Sequence, residues 1–399
     1  MSEKLGAQRQ ILHVSGDFPD SVAPSKTPVI QTLLKLTQGQ FDHSVISINR
    51  RSPAMARFAW DTLRTLGKPP LEVDSAPFDQ GTALVYKSPP KGIFHAAMLH
   101  RLGEYIATHI ASLPRQPDLI VGHKLSIEGI AVRRAAALCG IPYAISIQGN
   151  TDAKIVAARP DLRSELGAVL HDARMVFPFS PWALQQIEAR LGARSGPVTM
   201  LPCPTDIDAP IAPRAKGDGF ISVFHLRNYA TKNLVGMAKA AQLLNAKGQT
   251  VPLSVIGGGS ADDIARCSKI AQGAKGLTFA GPMDRETLRT RMSQATGFVM
   301  PSRRESFGLV FIEALFCGIP IIYPAGAAVD GYFDGAPFAI RVDATDPAAI
   351  ANAMLHIQKN EAGIKLALEQ WQHSADAQRF TRVAIAQAFA SGLHAASGA

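Results

Sequence analysis

Two glutamates eight positions apart carry the strongest chemical signal in the chain. They are Glu305 and Glu313, in the segment PSRRESFGLVFIEALFCGIPII at 301–322. The apolar run GFVMP from Gly297 reads as a strand that ends at Pro301. Glu305 then sits in a loop, Ser306, Phe307, Gly308 and Leu309 lead into a helix, and Glu313 lies inside that otherwise apolar helix. A carboxylate is costly to bury without partners. Ribose hydroxyls would be such partners, since one carboxylate can accept from two at once, and the loop position of Glu305 suits contact with a sugar. The backbone N–H groups around Gly308 and Leu309 open the helix and can hold phosphate or sugar oxygens. Pairing of Glu313 with a surface arginine and solvation of Glu305 is the plain alternative. The Gly-Leu helix start and the closing Cys-Gly-Ile-Pro weigh against it.

Three further positions follow strand-like runs. After FISVFHL come Arg227 and Lys232, two cations five apart at a strand-to-helix turn. Such a pair can reach one diphosphate, Arg through a planar fork and Lys as a mobile point charge, or can be two ordinary solvated charges. After PLSVIG come Gly257, Gly258 and Gly259, which allow close backbone approach to a ligand and equally suit a plain turn. After LIVG comes His123, a lone histidine that could be a ligand contact or a buried structural residue.

These residues need strands to place them, and the apolar pattern supplies strands twice. ILHVS, SVISI, LIVG, YAISIQ, MVFPFS and VTML begin at Ile11, Ser44, Leu119, Tyr143, Met175 and Val198. Helical patterns intervene, such as IEGIAVRRAAALCG from Ile127 with Gly140 as its stop. The stretch 50–101 gives no readable alternation. The Pro- and Gly-rich 208–219 reads as a linker, after which FISVFHL, PLSVIG, LTFAG, GFVMP, PIIYP and FAIRV restart the pattern. Near-continuous apolar strands alternating with helices indicate parallel sheets covered on both faces. The expectation is an α/β protein of two doubly wound, Rossmann-like domains, 1–210 and 211–375, with a closing helical segment 376–399 that packs back on the first. Open sheets of this kind bind ligands outside the carboxyl ends of their strands.

Composition sets the outer bounds. With 399 residues, 47% of them hydrophobic and 18% charged, the chain is long enough for two domains and fits a globular class. No apolar run reaches membrane-spanning length, and no signal peptide is visible at the N-terminus. Four scattered cysteines match neither a metal spacing nor a disulfide framework, so reduced thiols in a cytoplasmic protein are expected, with no metal. The net charge of +9 is spread along the chain without a nucleic-acid motif, which favours a phosphorylated small ligand over nucleic acid. One apolar stripe, Met55, Phe58, Ala59, Leu63 and Leu66, has Arg50, Arg51, Arg57, Arg64 and Lys68 nearby; it could lie on an anionic membrane surface or form an ordinary domain helix.

The motif E-S-F-G-L-x3-E-A-L-x-C-G-I-P resembles the E-x7-E signature of retaining glycosyltransferases of family 4, which have the GT-B fold of two Rossmann-like domains facing across a cleft. The resemblance extends over most of the chain and is densest at 220–322. It implies that Glu305 contacts the donor sugar near the reacting carbon and that Glu313 binds the nucleotide ribose. Arg227 and Lys232 stand at the family's diphosphate-binding positions. Gly257 corresponds to its glycine turn, His123 to its strand-end histidine, and Ser306, Phe307, Gly308 and Leu309 to its donor loop. The implied activity is transfer of a sugar, with retention, from a nucleotide-diphosphate sugar to an acceptor in glycan, polysaccharide or glycolipid synthesis, without a metal cofactor. The acceptor is a saccharide, lipid-linked or small molecule, and peripheral membrane contact would suit a lipid-linked one. A sugar-nucleotide epimerase on the same fold and a non-catalytic nucleotide-sugar-binding subunit are the rival readings. The sequence departs from the family at Gly16-Asp17, which replace a glycine pair, at Gln148-Gly149, which replace His-Gly, and at Cys203-Pro204, which replace Asn-Gly.

Overall fold

A computed structural model describes residues 8–52, 71–88 and 95–398. They form two compact units. The first contains the described residues through Phe179, then Ala183–Leu201, and returns from Ile385 onward; the second contains Ser180–Trp182 and Pro202–Ala384.

The first unit is built on a sheet of order β3-β4-β2-β1-β5-β6-β7. Its strands are β1 (Arg9–Ser15), β2 (Phe41–Arg51), β3 (Val73–Phe78), β4 (Gly81–Lys87), β5 (Leu119–Gly122), β6 (Tyr143–Ile147) and β7 (Met175–Pro178). All neighbouring pairs are parallel except β3 and β4, an antiparallel hairpin at the sheet edge. β5, β6 and β7 are buried at every position and β1 from Ile11 to Ser15, as strands covered by helices must be. The run from Val198 forms only one isolated bridge, with Val176, and not a strand.

The second sheet has the order β10-β9-β8-β11-β12-β13 and is parallel throughout. It comprises β8 (Phe220–Val223), β9 (Leu253–Ile256), β10 (Leu277–Gly281), β11 (Gly297–Val299), β12 (Ile321–Pro324) and β13 (Ala339–Val342). The stretch 208–219 is irregular, but it is bound to the second unit rather than free: Ile211 N donates to Phe316 O at 2.7 Å, and Gly217 N to Glu361 Oε1 at 2.7 Å.

The sequence placed the boundary at 210/211 and began the closing segment at 376. By packing, the second unit starts at Pro202 and keeps the segment through Ala384. The reason is aromatic: Phe380 stacks on Phe333 at 5.6 Å and touches Trp371 and Tyr332, all in that unit. From Ile385 the helix Arg382–Ala396 belongs to the first unit, where Phe389 meets Phe177 edge-on at 5.3 Å. Gly392 in the same helix lies so close to that ring that a Cβ would come within 2.4 Å of it.

Three of the four cysteines are buried and all four are free. No helix among the described residues is long and apolar enough to cross a membrane. The stripe Met55, Phe58, Ala59, Leu63 and Leu66 lies outside the described residues.

Phe389 is fully buried and anchors the returning helix. Phe389→Ala should therefore cost about 3–5 kcal/mol, the usual range for a large aromatic removed from a core. Chemical denaturation measures it, and an unchanged midpoint would show that the helix is not held through this ring.

Candidate functional site

In the second sheet the strand order reverses between β8 and β11, so their carboxyl ends flank the point where an open α/β sheet offers a ligand crevice. After β8 the chain makes a short turn, Leu226–Asn228, in which His225 Nδ1 accepts from the backbone N–H of Arg227 at 3.3 Å. Arg227 is exposed there. Asn233 follows in the left-handed conformation, with φ 62°. It caps the helix Leu234–Ala246 by accepting from Gly236 N at 3.2 Å. Its buried amide also donates to Pro301 O at 3.0 Å and to Ala344 O at 2.7 Å. One side chain thus ties the turn after β8 to the loops after β11 and β13.

That tie brings two of the residues picked from the sequence into contact. The Lys232 ammonium forms an ion pair with the Glu305 carboxylate. Both side chains are largely buried, with 19% and 15% of their surface exposed. A backbone bond from Arg303 N to Thr231 O, at 2.8 Å, fastens the same two loops.

Glu305 is held from behind as well. Its carbonyl accepts from Ala328 N at 3.1 Å, and Ala328 O accepts from Trp182 Nε1 at 2.8 Å. Ala328 is fully buried with φ 59°, a region that costs an alanine free energy and persists only where the surroundings impose it. Ser306 is half-buried, while Phe307 is buried with its ring edge-on to Tyr332 at 6.2 Å. Gly308, at φ 73°, starts the helix Leu309–Phe316 without a side-chain cap, which leaves first-turn N–H groups free for a ligand.

Glu313 lies on that helix, and its carboxylate accepts no hydrogen bond from the described residues. Burial raises its pKa, and nearby Asp206 raises it further against the opposing pull of Arg285. Glu313 lines a cavity of about 560 Å³ with Asp206, Ile207, Arg285, Arg289 and Met292. A cavity of that size suits a small ligand.

Gly257 has φ 154°, and a Cβ there would lie 1.9 Å from the Phe224 carbonyl oxygen. Its missing side chain lets the end of β9 approach the turn after β8.

His123 belongs to the first unit, at the carboxyl end of β5, where that sheet also reverses its strand order. It is fully buried, and its Nε2 lies 3.0 Å from His13 Nδ1. Lys124 pairs with Asp17 at 2.5 Å. Glu128 is fully buried beside them: its Oε1 accepts from Gly16 N at 2.6 Å, and burial pushes its pKa up to about 8. Gly16 and Asp17 are therefore bound into a polar cluster at the end of β1.

Sequence reasoning did not single out Asn233, Ala328 or Glu128. For Asn233 a signal exists, an Asn directly before a helical pattern. Glu128 carries the signal that marked Glu313, a lone carboxylate among apolar helix residues. Ala328 carries none, since nothing in an alanine announces a left-handed backbone.

Comparison with known proteins places this site in context. Residues 208–375 match the family described as Glycosyl transferases group 1, so the second unit carries a glycosyltransferase group 1 domain. A curated D-inositol 3-phosphate glycosyltransferase from Jonesia denitrificans is 38% identical over 113 residues, which span 26% of this chain and 27% of that protein. Curated relatives of that description are matched over 22% to 36% of their own lengths. Sucrose-phosphate synthase from Thermosynechococcus elongatus superposes with a TM-score of 0.65 at 19% identity, covering 96% of this chain and 98% of that chain. HepE from Anabaena, solved in complex with UDP, gives 0.61 at 13% identity, covering 97% and 99%. These likenesses establish the fold as two parallel-sheet α/β domains of the GT-B type.

Two outcomes follow from the geometry. Asn233→Ala removes a cap and two hydrogen bonds to buried carbonyls, a loss of about 2–3 kcal/mol that denaturant titration would detect. The Glu128 carboxyl, raised on folding, holds a proton that the unfolded chain releases once the pH exceeds the ordinary glutamate value. Stability from this group is therefore full in acid and falls as pH rises toward about 8. Glu128→Gln should flatten thermal stability between pH 5 and 8 and exceed wild type at pH 8; parallel curves for the two proteins would contradict this.

Proposed function

We propose that this chain transfers a sugar, with retention at the anomeric carbon, from a nucleoside-diphosphate sugar held by its second unit to the hydroxyl of an acceptor. The observation that carries the reading is the Lys232–Glu305 pair at the switch point of the second sheet, next to a helix whose Glu313 lines a cavity and whose carboxylate has no hydrogen-bond partner among the described residues. The match of 208–375 to Glycosyl transferases group 1 supports it, since that span contains Arg227, Lys232, Glu305 and Glu313.

In this reading the donor diphosphate takes up the cations. Lys232 exchanges or shares its carboxylate partner with the phosphates, and the exposed Arg227 closes onto the same oxygens as a fork. The free N–H groups at Gly308 and Leu309 add aligned dipoles. Negative charge that builds on the leaving diphosphate meets these fixed donors, and no metal ion is invoked. Ribose hydroxyls give the Glu313 carboxylate the hydrogen bonds that no described residue supplies. Glu305, one loop nearer the strand end, accepts from the transferred sugar and orients its reacting carbon. Attack on the face the leaving group departs from, with the leaving phosphate taking the acceptor proton, gives retention without a second carboxylate nucleophile. The acceptor would be a saccharide, a lipid-linked saccharide or a hydroxylated small molecule.

The two glutamates should separate in experiment. Glu313→Gln should weaken nucleoside-diphosphate binding in calorimetry, because an amide oxygen accepts less strongly than a carboxylate. Glu305→Gln should hold or tighten that affinity, since it frees Lys232, yet lower the release of nucleoside diphosphate from bound nucleotide sugar. Lys232→Ala removes a charge-assisted contact of about 1.5–3 kcal/mol, roughly a ten- to hundredfold loss of affinity. The reverse pattern, with Glu305→Gln losing nucleotide and Glu313→Gln losing only turnover, would contradict the assigned roles. Conversion of a nucleotide sugar to an isomer, with no release of nucleoside diphosphate, would contradict transfer itself.

A further inference from the structure

Four side chains of the first unit form one hydrogen-bonded file. Thr37 Oγ1 lies 2.9 Å from His43 Nε2, His43 Nδ1 lies 2.9 Å from His13 Nε2, and His13 Nδ1 lies 3.0 Å from His123 Nε2. Thr37 ends the helix Val29–Thr37, His43 is on β2, His13 is on β1, and His123 follows β5. At the far end His123 Nδ1 is buried and has no partner among the described residues.

The three imidazoles are neutral. Burial holds the pKa of His43 at about 4 and that of His123 at about 3, and it depresses His13 as well, with neighbouring histidines adding to the effect on His13 and His123. A neutral imidazole has one N–H and one lone pair. The file therefore has two self-consistent states. In one, every ring carries its proton on Nε2 and donates toward Thr37. In the other, every ring carries it on Nδ1, and Thr37 donates into the file.

Thr37 decides between them. Its hydroxyl lies 3.1 Å from Leu33 O, which can only accept. If the hydroxyl donates to Leu33 O, it accepts from His43 Nε2, and every proton in the file is used. If it donates to His43 instead, the bond to Leu33 O is lost and His123 is left with a buried N–H that has no acceptor. An unsatisfied buried donor is costly, because it has lost its bond to water and gained none in return. The first state has one more hydrogen bond and leaves only a lone pair open.

We propose that Thr37, His43 and His13 fix His123 as the Nε2–H tautomer, so that its buried Nδ1 is left as a bare acceptor with no proton of its own. Thr37, His43 and His13 are then positioning residues. His123 then offers no proton at Nδ1 and does not act as a general acid there.

The test uses the full chain with histidine rings labelled by 15N, observed through long-range proton–nitrogen correlations at pH 7. His13, His43 and His123 should each show a protonated Nε2 and a bare Nδ1. A protonated Nδ1 on His123 would overturn the proposal, and this readout needs no variant. Thr37→Val should shift the His123 ring nitrogens toward a mixed tautomer, and Thr37→Ser should restore them. His123 signals unmoved by Thr37→Val in a folded protein would show that the file does not set the tautomer.

Discussion

The buried amide of Asn233 joins three loops at the carboxyl edge of the second sheet, through bonds to Pro301 O, Ala344 O and Gly236 N. Lys232 precedes it directly, and the loop that begins at Pro301 carries Glu305. The ion pair between those two is a poor candidate for holding the loops, because in a largely buried pair the cost of desolvating both charges offsets much of their attraction. The causation runs the other way: backbone and amide bonds set the loops, and the loops set the pair. A cation and an anion are kept within reach of one another at the strand ends, where an anionic ligand can compete for the cation.

The two units handle polar groups at their switch points differently. In the second, the cations keep some access to solvent: Arg227 is exposed and Lys232 retains 19% of its side-chain surface. In the first, Glu128, His13 and His123 are fully buried, and burial pushes each toward its neutral form, the carboxyl up and the imidazoles down. Exposed charge suits binding and release of a diphosphate. Buried neutral groups suit discrimination among hydroxyls, because a wrong partner leaves a polar atom unsatisfied.

Much of this was legible in the sequence where the signal was local. The strands of the second sheet appear as apolar runs, and Arg227, Lys232, Glu305 and Glu313 stand out because they follow those runs or interrupt apolar residues. What remained hidden was long-range. Asn233 reads as a helix cap, but its bonds to Pro301 and Ala344 reach 68 and 111 residues away. The histidine file joins residues 30 and 110 apart, brought together by the parallel pairing of β1 with β2 and β5. The β3–β4 hairpin escaped notice because β3 is an edge strand with no buried residue, so its composition carries no clear alternation. The run from Val198 has strand-like composition but makes only a single bridge, since composition does not supply a neighbouring strand.

A nucleoside diphosphate bound as proposed occupies the ends of β8 and β11 and the start of the helix Leu309–Phe316. Amide hydrogen exchange locates this most directly, using the full chain with and without saturating UDP, GDP, ADP or dTDP. At least one nucleotide should slow exchange at 226–234 and at 302–313, with protection extending to the cavity wall at 285–292. Protection confined to the first unit, or no change with any of the four, would contradict the account.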